Sequence, residues 1–385
     1  MTTPIEFEDI RPYNAEEIPQ VVNELAQDPQ FKESILTVFP GPFEAIIARA
    51  LQCKSLLEVQ KTFIYSFLKN ILSKLSDGID MQADCLDREG NYTFISNHRD
   101  IVLDAALLSE MMVDIGFSKT AELCTGDNLL ATPWIKKVVR LCKGIVVKRG
   151  LGLREQLNCS KTLSRYIHYV ITVKQDNVWI AQREGRAKDS NDFTQESILK
   201  MLSMGGDGNI YDNIRELNIV PLTISYEFDP CDFLKAREFQ LKRDIPGYKK
   251  TRDEDVNSME TGMFGYKGHI HYQAGAPINE WIETLPKDMP KNDFFAAITQ
   301  HIDHVIHSNY RLYANNYIAS DMLKEDDRFV HLYNETEKKR FEDYLQQQIG
   351  RIDIPDADHT FLKKKILEMY ANPLYNYLKA AEQKH

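Results

Sequence analysis

The feature that most limits what this chain can fold into is a series of short apolar runs set far apart. NYTFISN, GIVVKR, NVWIAQ and NIVPLTIS are each separated from the next by a helix-sized stretch of chain. Antiparallel neighbours need only a tight turn, whereas parallel neighbours need a crossover of a dozen residues or more. The spacing therefore predicts an α/β fold: a mixed, partly parallel sheet flanked by helices. Residues 1 to about 75 lack strand alternation, and Ile64, Phe67, Leu68, Ile71, Leu72 and Leu75 recur at helical spacing. The polar segment from Phe233 to Gly268 reads as a long excursion from the sheet, ending in a strand at KGHIHYQAGAPI. After about 290 the pattern is helical again. The chain thus divides into a helical N-terminal cap (1–88), an α/β core (89–285) and a helical C-terminal region (286–385), with no internal repeat.

Charge narrows the choice of partners. The chain carries 47 Lys and Arg against 57 Asp and Glu, a net charge of -10, so its overall field opposes nucleic acid and no nucleic-acid partner is expected. The acidic opening MTTPIEFEDIRPYNAEE lacks the basic-then-apolar order of a secretory signal, which predicts a cytoplasmic protein. The longest apolar stretch, Ile35 to Leu51, is interrupted by Pro40, Pro42, Glu44 and Arg49 and falls short of the roughly 20 apolar residues a spanning helix needs. Six cysteines without a CxxC pair predict reduced, mostly buried thiols and no zinc site.

The chemistry concentrates in FISNHRDIVLDAALL, residues 94–108. A strand stops at Ser96-Asn97, His98 stands at its exit, and a helix-like run follows. A histidine there can act as a general base, and Asp100 and Asp104 are both close enough to orient it. Further strand ends carry Lys148-Arg149-Gly150 and Arg183-Glu184-Gly185-Arg186, and Pro221 stands inside NIVPLTIS. Ligands of α/β sheets gather at the carboxyl ends of strands. Other polar clusters read as structure: His269 and His271 on one strand face, His301, His304 and His307 along a helix, and Gly205-Gly206-Asp207-Gly208 as a turn.

In their order, these blocks resemble those of the glycerolipid acyltransferase superfamily, which includes glycerol-3-phosphate and 1-acylglycerol-3-phosphate O-acyltransferases. The Asn-His block is Asn97-His98, although Asp104 follows after five residues where the family has four. GIVVKR, Arg183-Glu184-Gly185-Arg186-Ala187-Lys188 and Ile219-Val220-Pro221-Leu222 are similar to the next three, and Gly275-Ala276-Pro277-Ile278 to the end of the last core strand.

The resemblance covers roughly residues 90–280 and implies transfer of a fatty acyl group from a thioester, acyl-CoA or acyl-carrier protein, to a hydroxyl of a glycerol-phosphate or lysophospholipid acceptor. No bound cofactor or metal is implied. His98 would be the base, with Asp104, or else Asp100, behind it. Arg149, Arg186 and Lys188 would hold the acceptor phosphate. Glu184 would face the glycerol hydroxyl or support the arginines, Gly185 would admit close backbone approach, and Asn97 and Pro221 would shape the pocket. A thioester or ester hydrolase using the same pair, or a noncatalytic lysolipid-binding protein, are the alternatives. Peripheral contact with the cytosolic membrane face is expected of an enzyme of lipids. The FLKKKILEMY segment (361–370) reads either as a membrane-surface helix or as a packed terminal helix with a charged outer face.

Overall fold

The computed structural model describes residues 3–39, 41–130 and 132–382. One seven-stranded sheet organises it: β1 (Gly78–Gln82), β2 (Thr93–Ser96), β3 (Ala121–Gly126), β4 (Gly144–Val147), β5 (Asn177–Ala181), β6 (Ile219–Tyr226) and β7 (His269–Ala274). The order across the sheet is β1-β7-β6-β2-β5-β3-β4. Every neighbouring pair is parallel except β6 with β7, so the sheet is mixed and mostly parallel. The helices that cover it or frame the site are α1 (Leu103–Asp114), α2 (Pro133–Leu141), α3 (Leu153–Tyr169), α4 (Asp232–Asp244), α5 (Arg252–Phe264), α6 (Lys291–Ser308) and α7 (His359–Glu382).

Successive strand residues enter opposite layers. Ile95, Val178, Ile180 and Ile219 pack with Tyr166 and Ile167 of α3 and with Phe295 and Ile302 of α6. Phe94, Trp179, Val220 and Leu222 pack with Leu103, Leu107 and Met111 of α1. With both faces covered, the central strands must be apolar throughout, and this is why they stand out as unbroken runs.

Two strands lack that signal. In β3 the run is broken by Glu122, which is completely buried, accepts a hydrogen bond from the Tyr166 hydroxyl (2.7 Å) and pairs with Lys174. β1 is a short edge strand carrying Asp80. It lies within residues 1–88, so the chain joins the sheet ahead of position 89.

The Ile35–Leu51 stretch divides between helices Pro29–Val38 and Phe43–Gln52, with Pro40 outside the described residues. Among the described residues no single helix is long and apolar enough to cross a membrane. No disulfide forms. Only Cys53 and Cys231 are buried, fewer than the sequence suggested, and Cys85 is exposed. Residues 361–370 belong to α7, a packed terminal helix: Leu362, Ile366, Leu367, Met369 and Tyr370 are buried with Phe228, Phe233 and Phe341, which leaves no apolar face for a membrane.

The C-terminal helices dock on a buried carboxylate. Asp232 at the start of α4 accepts hydrogen bonds from the hydroxyls of Tyr344 (2.9 Å) and Tyr370 (2.8 Å) and from the Gln348 side-chain amide. Burial, and then the nearby Asp229 charge, push its carboxyl up to about 7. The native state therefore keeps a proton that the unfolded chain releases near pH 4. The stabilisation is complete below that pH and is lost as pH rises through about 7. Denaturant unfolding should show stability falling across this window by up to about 1.4 kcal/mol per pH unit, and Asp232→Asn should remove that slope. An unchanged slope in the variant contradicts the assignment.

Candidate active site

β2 is central, and its four residues are buried. Beyond Ser96 the Asn97 side chain takes over the ladder: its amide donates to the Ile224 carbonyl (2.9 Å) and its oxygen accepts from the Ile224 N–H (2.8 Å). That tie anchors the strand end next to His98, where the chain leaves the carboxyl edge of the parallel strands.

His98 Nδ1 lies 2.8 Å from Asp104 Oδ2. The same oxygen accepts the backbone N–H groups of Arg99 and Asp100. An oxygen surrounded by donors fixes the imidazole tautomer: Nδ1 carries the proton, and Nε2 keeps its lone pair. Asp104 is fully buried, whereas the His98 side chain is 14% exposed, enough to meet a small molecule. The Trp179 ring stands edge-on to the imidazole with centroids 5.7 Å apart, and its Nε1 donates to Ser96 Oγ.

Asp100 has a different task. Its Oδ1 accepts from the N–H groups of Val102 (2.9 Å) and Leu103 (2.8 Å), satisfying donors at the start of α1. Burial, and secondarily the Asp104 charge, raise its carboxyl above the usual range. Asp104 touches His98, and Asp100 does not. Asp104 reaches His98 although five residues separate them.

His98 opens onto a cavity of about 240 Å³ bounded by cations from several strand ends: Arg149 after β4, Arg183, Arg186 and Lys188 after β5, and Lys250 before α5. Their partners separate them. Arg149 Nη1 donates to Glu184 (2.7 Å), and its backbone N–H donates to Asp127 (3.1 Å). Gly126 makes room for this side chain, since a Cβ there would lie 2.7 Å from Arg149 Nε and 2.5 Å from Asn128 Oδ1. Lys188 is paired with Glu238 of α4, and Lys250 with Asp255 (2.8 Å).

Neither Arg183 nor Arg186 forms an ion pair with a carboxylate among the described residues, although the Arg186 charge acts on the buried Asp100 and Asp229. Arg183 Nε and Arg186 Nη1, like Arg149 Nε, are buried without an acceptor. Buried guanidinium N–H groups are costly when unmatched, so the arrangement suits an anion entering from the cavity.

The remaining sequence candidates fall elsewhere. The Glu184 side chain is 72% exposed and bonds Arg149 from the solvent side, outside the cavity wall. Gly185 adopts φ +68°, a left-handed turn that glycine takes without strain. Pro221 does not bound the cavity. It pairs with Ile95, one residue before the end of β2, and lies between Val220 and Leu222, which face the layer of α1, so its ring turns to the opposite face. The apolar run disclosed the strand but not the face of the proline within it. His269 and His271 pair with Glu227 and Asp80. Asp77, Glu227 and His269 come together, but Arg340 bonds both acids.

A second, almost wholly apolar cavity of about 350 Å³ adjoins the first, with Ile101, Ala105, Thr125 and Leu129 bounding both. Its walls come from α1, α2, α5 and the N-terminal cap, including Gln60, Ile64 and Tyr65 from a π-helical segment, Gln60–Tyr65. Such segments are rare and often lie at functional sites. Gln60 closes the inner end, donating to the Cys142 carbonyl (3.1 Å) and accepting from Thr120 Oγ1 (2.9 Å).

A mostly parallel sheet thus carries a histidine–carboxylate pair and several arginines at its carboxyl edge. Residues 79–224 match the Acyltransferase family, and that stretch contains the Asn97-His98, GIVVKR, Arg183–Lys188 and Ile219–Leu222 blocks on which the resemblance to the glycerolipid acyltransferase superfamily rests. The chain is also similar to the 1-acyl-sn-glycerophosphate (LPA) acyltransferase of Thermotoga maritima, with 10% identity over 76% of this chain and 95% of that one and a TM-score of 0.35. Among curated protein sequences none matches this chain.

Proposed function

We propose that the protein is an O-acyltransferase that moves a fatty acyl group from a thioester, acyl-CoA or acyl-carrier protein, to a hydroxyl of a glycerol-phosphate or lysophospholipid acceptor. One juxtaposition carries the reading: His98, oriented by Asp104, stands where a cavity with unmatched guanidinium groups adjoins an apolar one.

The acceptor's phosphate lies against Arg186 and Arg183, with Arg149 held ready by Glu184. Guanidinium groups suit this task because they are always charged and can bind two phosphate oxygens at once. The acyl chain fills the apolar cavity, which has space for about a dozen groups of the size of a water or a methylene. Its thioester carbonyl then sits at the shared wall, next to His98.

His98 Nε2 takes the proton of the acceptor hydroxyl as its oxygen bonds to the carbonyl carbon. Asp104 stabilises the resulting imidazolium. The tetrahedral intermediate collapses with cleavage of the C–S bond, and the proton passes from His98 to the departing sulfur. Atoms and charge balance without a bound cofactor. Trp179 beside the ring limits the access of water, which favours the alcohol over hydrolysis.

We place the protein in the cytoplasm, with peripheral membrane contact at the start of α3. There Leu151, Leu153 and Leu157 stand exposed beside Arg154, close after Arg149.

The phosphate carries the acceptor's affinity in this reading. Glycerol 3-phosphate should be used with kcat/KM about 100-fold above glycerol, or lysophosphatidate by as much above monoacylglycerol. Equal use of the phosphorylated and plain acceptors would remove the phosphate assignment.

A further inference from the structure

The excursion between β6 and β7 reaches both cavities. Of the thirteen residues of α5 only Ser258 and Gly262 are buried, so this helix lies on the body more than it belongs to the core. Asp255, Met259 and Met263 follow one another at four-residue spacing along one face. Met259 and Met263 bound the apolar cavity, and Asp255, with its partner Lys250, bounds the cationic one.

The seat of the helix is Gly262. A Cβ at this position would overlap Asp100 Oδ2 and lie 3.1 Å from Asp100 Cγ. Asp100 cannot swing aside freely, because its Oδ1 is held by the N–H groups of Val102 and Leu103. The adjoining backbone supplies the N–H groups that hold Asp104. The missing side chain thus lets the helix settle directly on the loop that orients His98.

Both ends are tied down. The fully buried Lys267 donates to the carbonyls of Met263 and Gly265, satisfying acceptors that a helix end leaves open. At the other end Thr251 and Glu254 form a capping box, and Arg237 of α4 pairs with Glu254 (2.6 Å).

We propose that α5 is the specificity element of the site: a roof shared by both cavities, whose methionines Met259 and Met263 set the acyl chain accepted, and whose height above the His98 loop is set by Gly262. This rests on the reading that the apolar cavity takes the acyl chain. Methionine suits a roof over flexible chains, since its unbranched side chain adapts to the shape beneath it. The other walls stand on α1, α2 and the cap, whose packing into the body leaves them less room to adjust. Gly262 and the two methionines are therefore positioning and selectivity residues, and the proton transfer stays with His98.

The test is a chain-length series of acyl-CoA donors, octanoyl to stearoyl, with the full-length protein. The Met259→Ala and Met263→Ala variants should shift the ratio of kcat/KM between the longest and shortest donors by about tenfold toward the longer, and Met263→Trp should shift it the other way. Gly262→Ala should raise KM for both donor and acceptor, because one roof covers both, while far-UV circular dichroism stays unchanged. Affinity for a fluorescent palmitoyl-CoA, measured without acceptor, gives a second readout that does not need turnover.

Ratios within twofold of wild type in the alanine variants, together with unaltered probe affinity, would overturn the roof. If wild type binds the probe but transfers nothing, the chemistry is rejected while the methionine variants still decide the roof by affinity. A wild type that neither binds nor transfers any donor overturns both. Should Gly262→Ala fail to fold, the methionine pair decides alone.

Discussion

Alanine in place of His98 should lower kcat for acyl transfer by about 1,000-fold, with the KM of each substrate nearly unchanged. General acid–base catalysis by a positioned side chain contributes roughly 100- to 10,000-fold. Here one imidazole both takes the hydroxyl proton and returns it to sulfur, so its loss falls on both halves of the reaction. The fold should survive, because the ring is tied through Asp104 alone and is partly exposed. Asp104→Asn should reproduce part of the loss: its amide oxygen can still accept from Nδ1–H and from the backbone N–H groups of Arg99 and Asp100, but a neutral amide no longer stabilises the imidazolium. Retained kcat in both variants, measured as thiol release with acceptor present, would mean that another group moves the proton.

The second large effect concerns Arg186. Alanine there should raise the acceptor's KM by about 100-fold and leave the donor's KM within a small factor, because a charged hydrogen-bond donor to a buried anion is worth about 1.5–3 kcal/mol. Arg183→Ala should behave alike, and the pair should be less than additive, as both face one group. Arg149→Ala should cost less, because Glu184 already neutralises part of its charge. The conservative variant Arg186→Lys should keep only part of the affinity, since an ammonium lacks the planar fork. A rise confined to the donor's KM would reassign the arginines to the donor's own phosphates.

Much of this site was legible because its parts are local. The apolar runs that became β2, β4 and β5 end in the residues that reach the cavity, and strands packed on both faces announce themselves as unbroken runs. The His98–Asp104 contact spans six positions, short enough for sequence to narrow the choice to two acids. Choosing between them took coordinates, because the turn before α1 decides which side chain faces the ring. Arg183 stood in a quoted block without a role, and its place in the cavity wall, with a buried Nε that has no acceptor, shows only in the folded chain.

What sequence concealed was assembled over long distances. The apolar cavity joins the cap at Gln60–Tyr65, α1, α2 and α5, segments separated by up to about two hundred positions, and no periodicity records such a meeting. Each of its walls reads as an ordinary amphipathic or mixed helix. β3 was hidden by Glu122, a buried charge whose partners Tyr166 and Lys174 lie far along the chain. Gly262 carries no pattern at all; its meaning is the proximity of Asp100.

The stoichiometry of one reaction tests acyl transfer by this protein most directly. Purified protein given palmitoyl-CoA with glycerol 3-phosphate or lysophosphatidate should release free thiol and form a new ester in equal amounts, by thiol titration and mass spectrometry of the lipids, and should release almost none without acceptor. Thiol release that proceeds equally well with water alone, or no release with either acceptor, would contradict it.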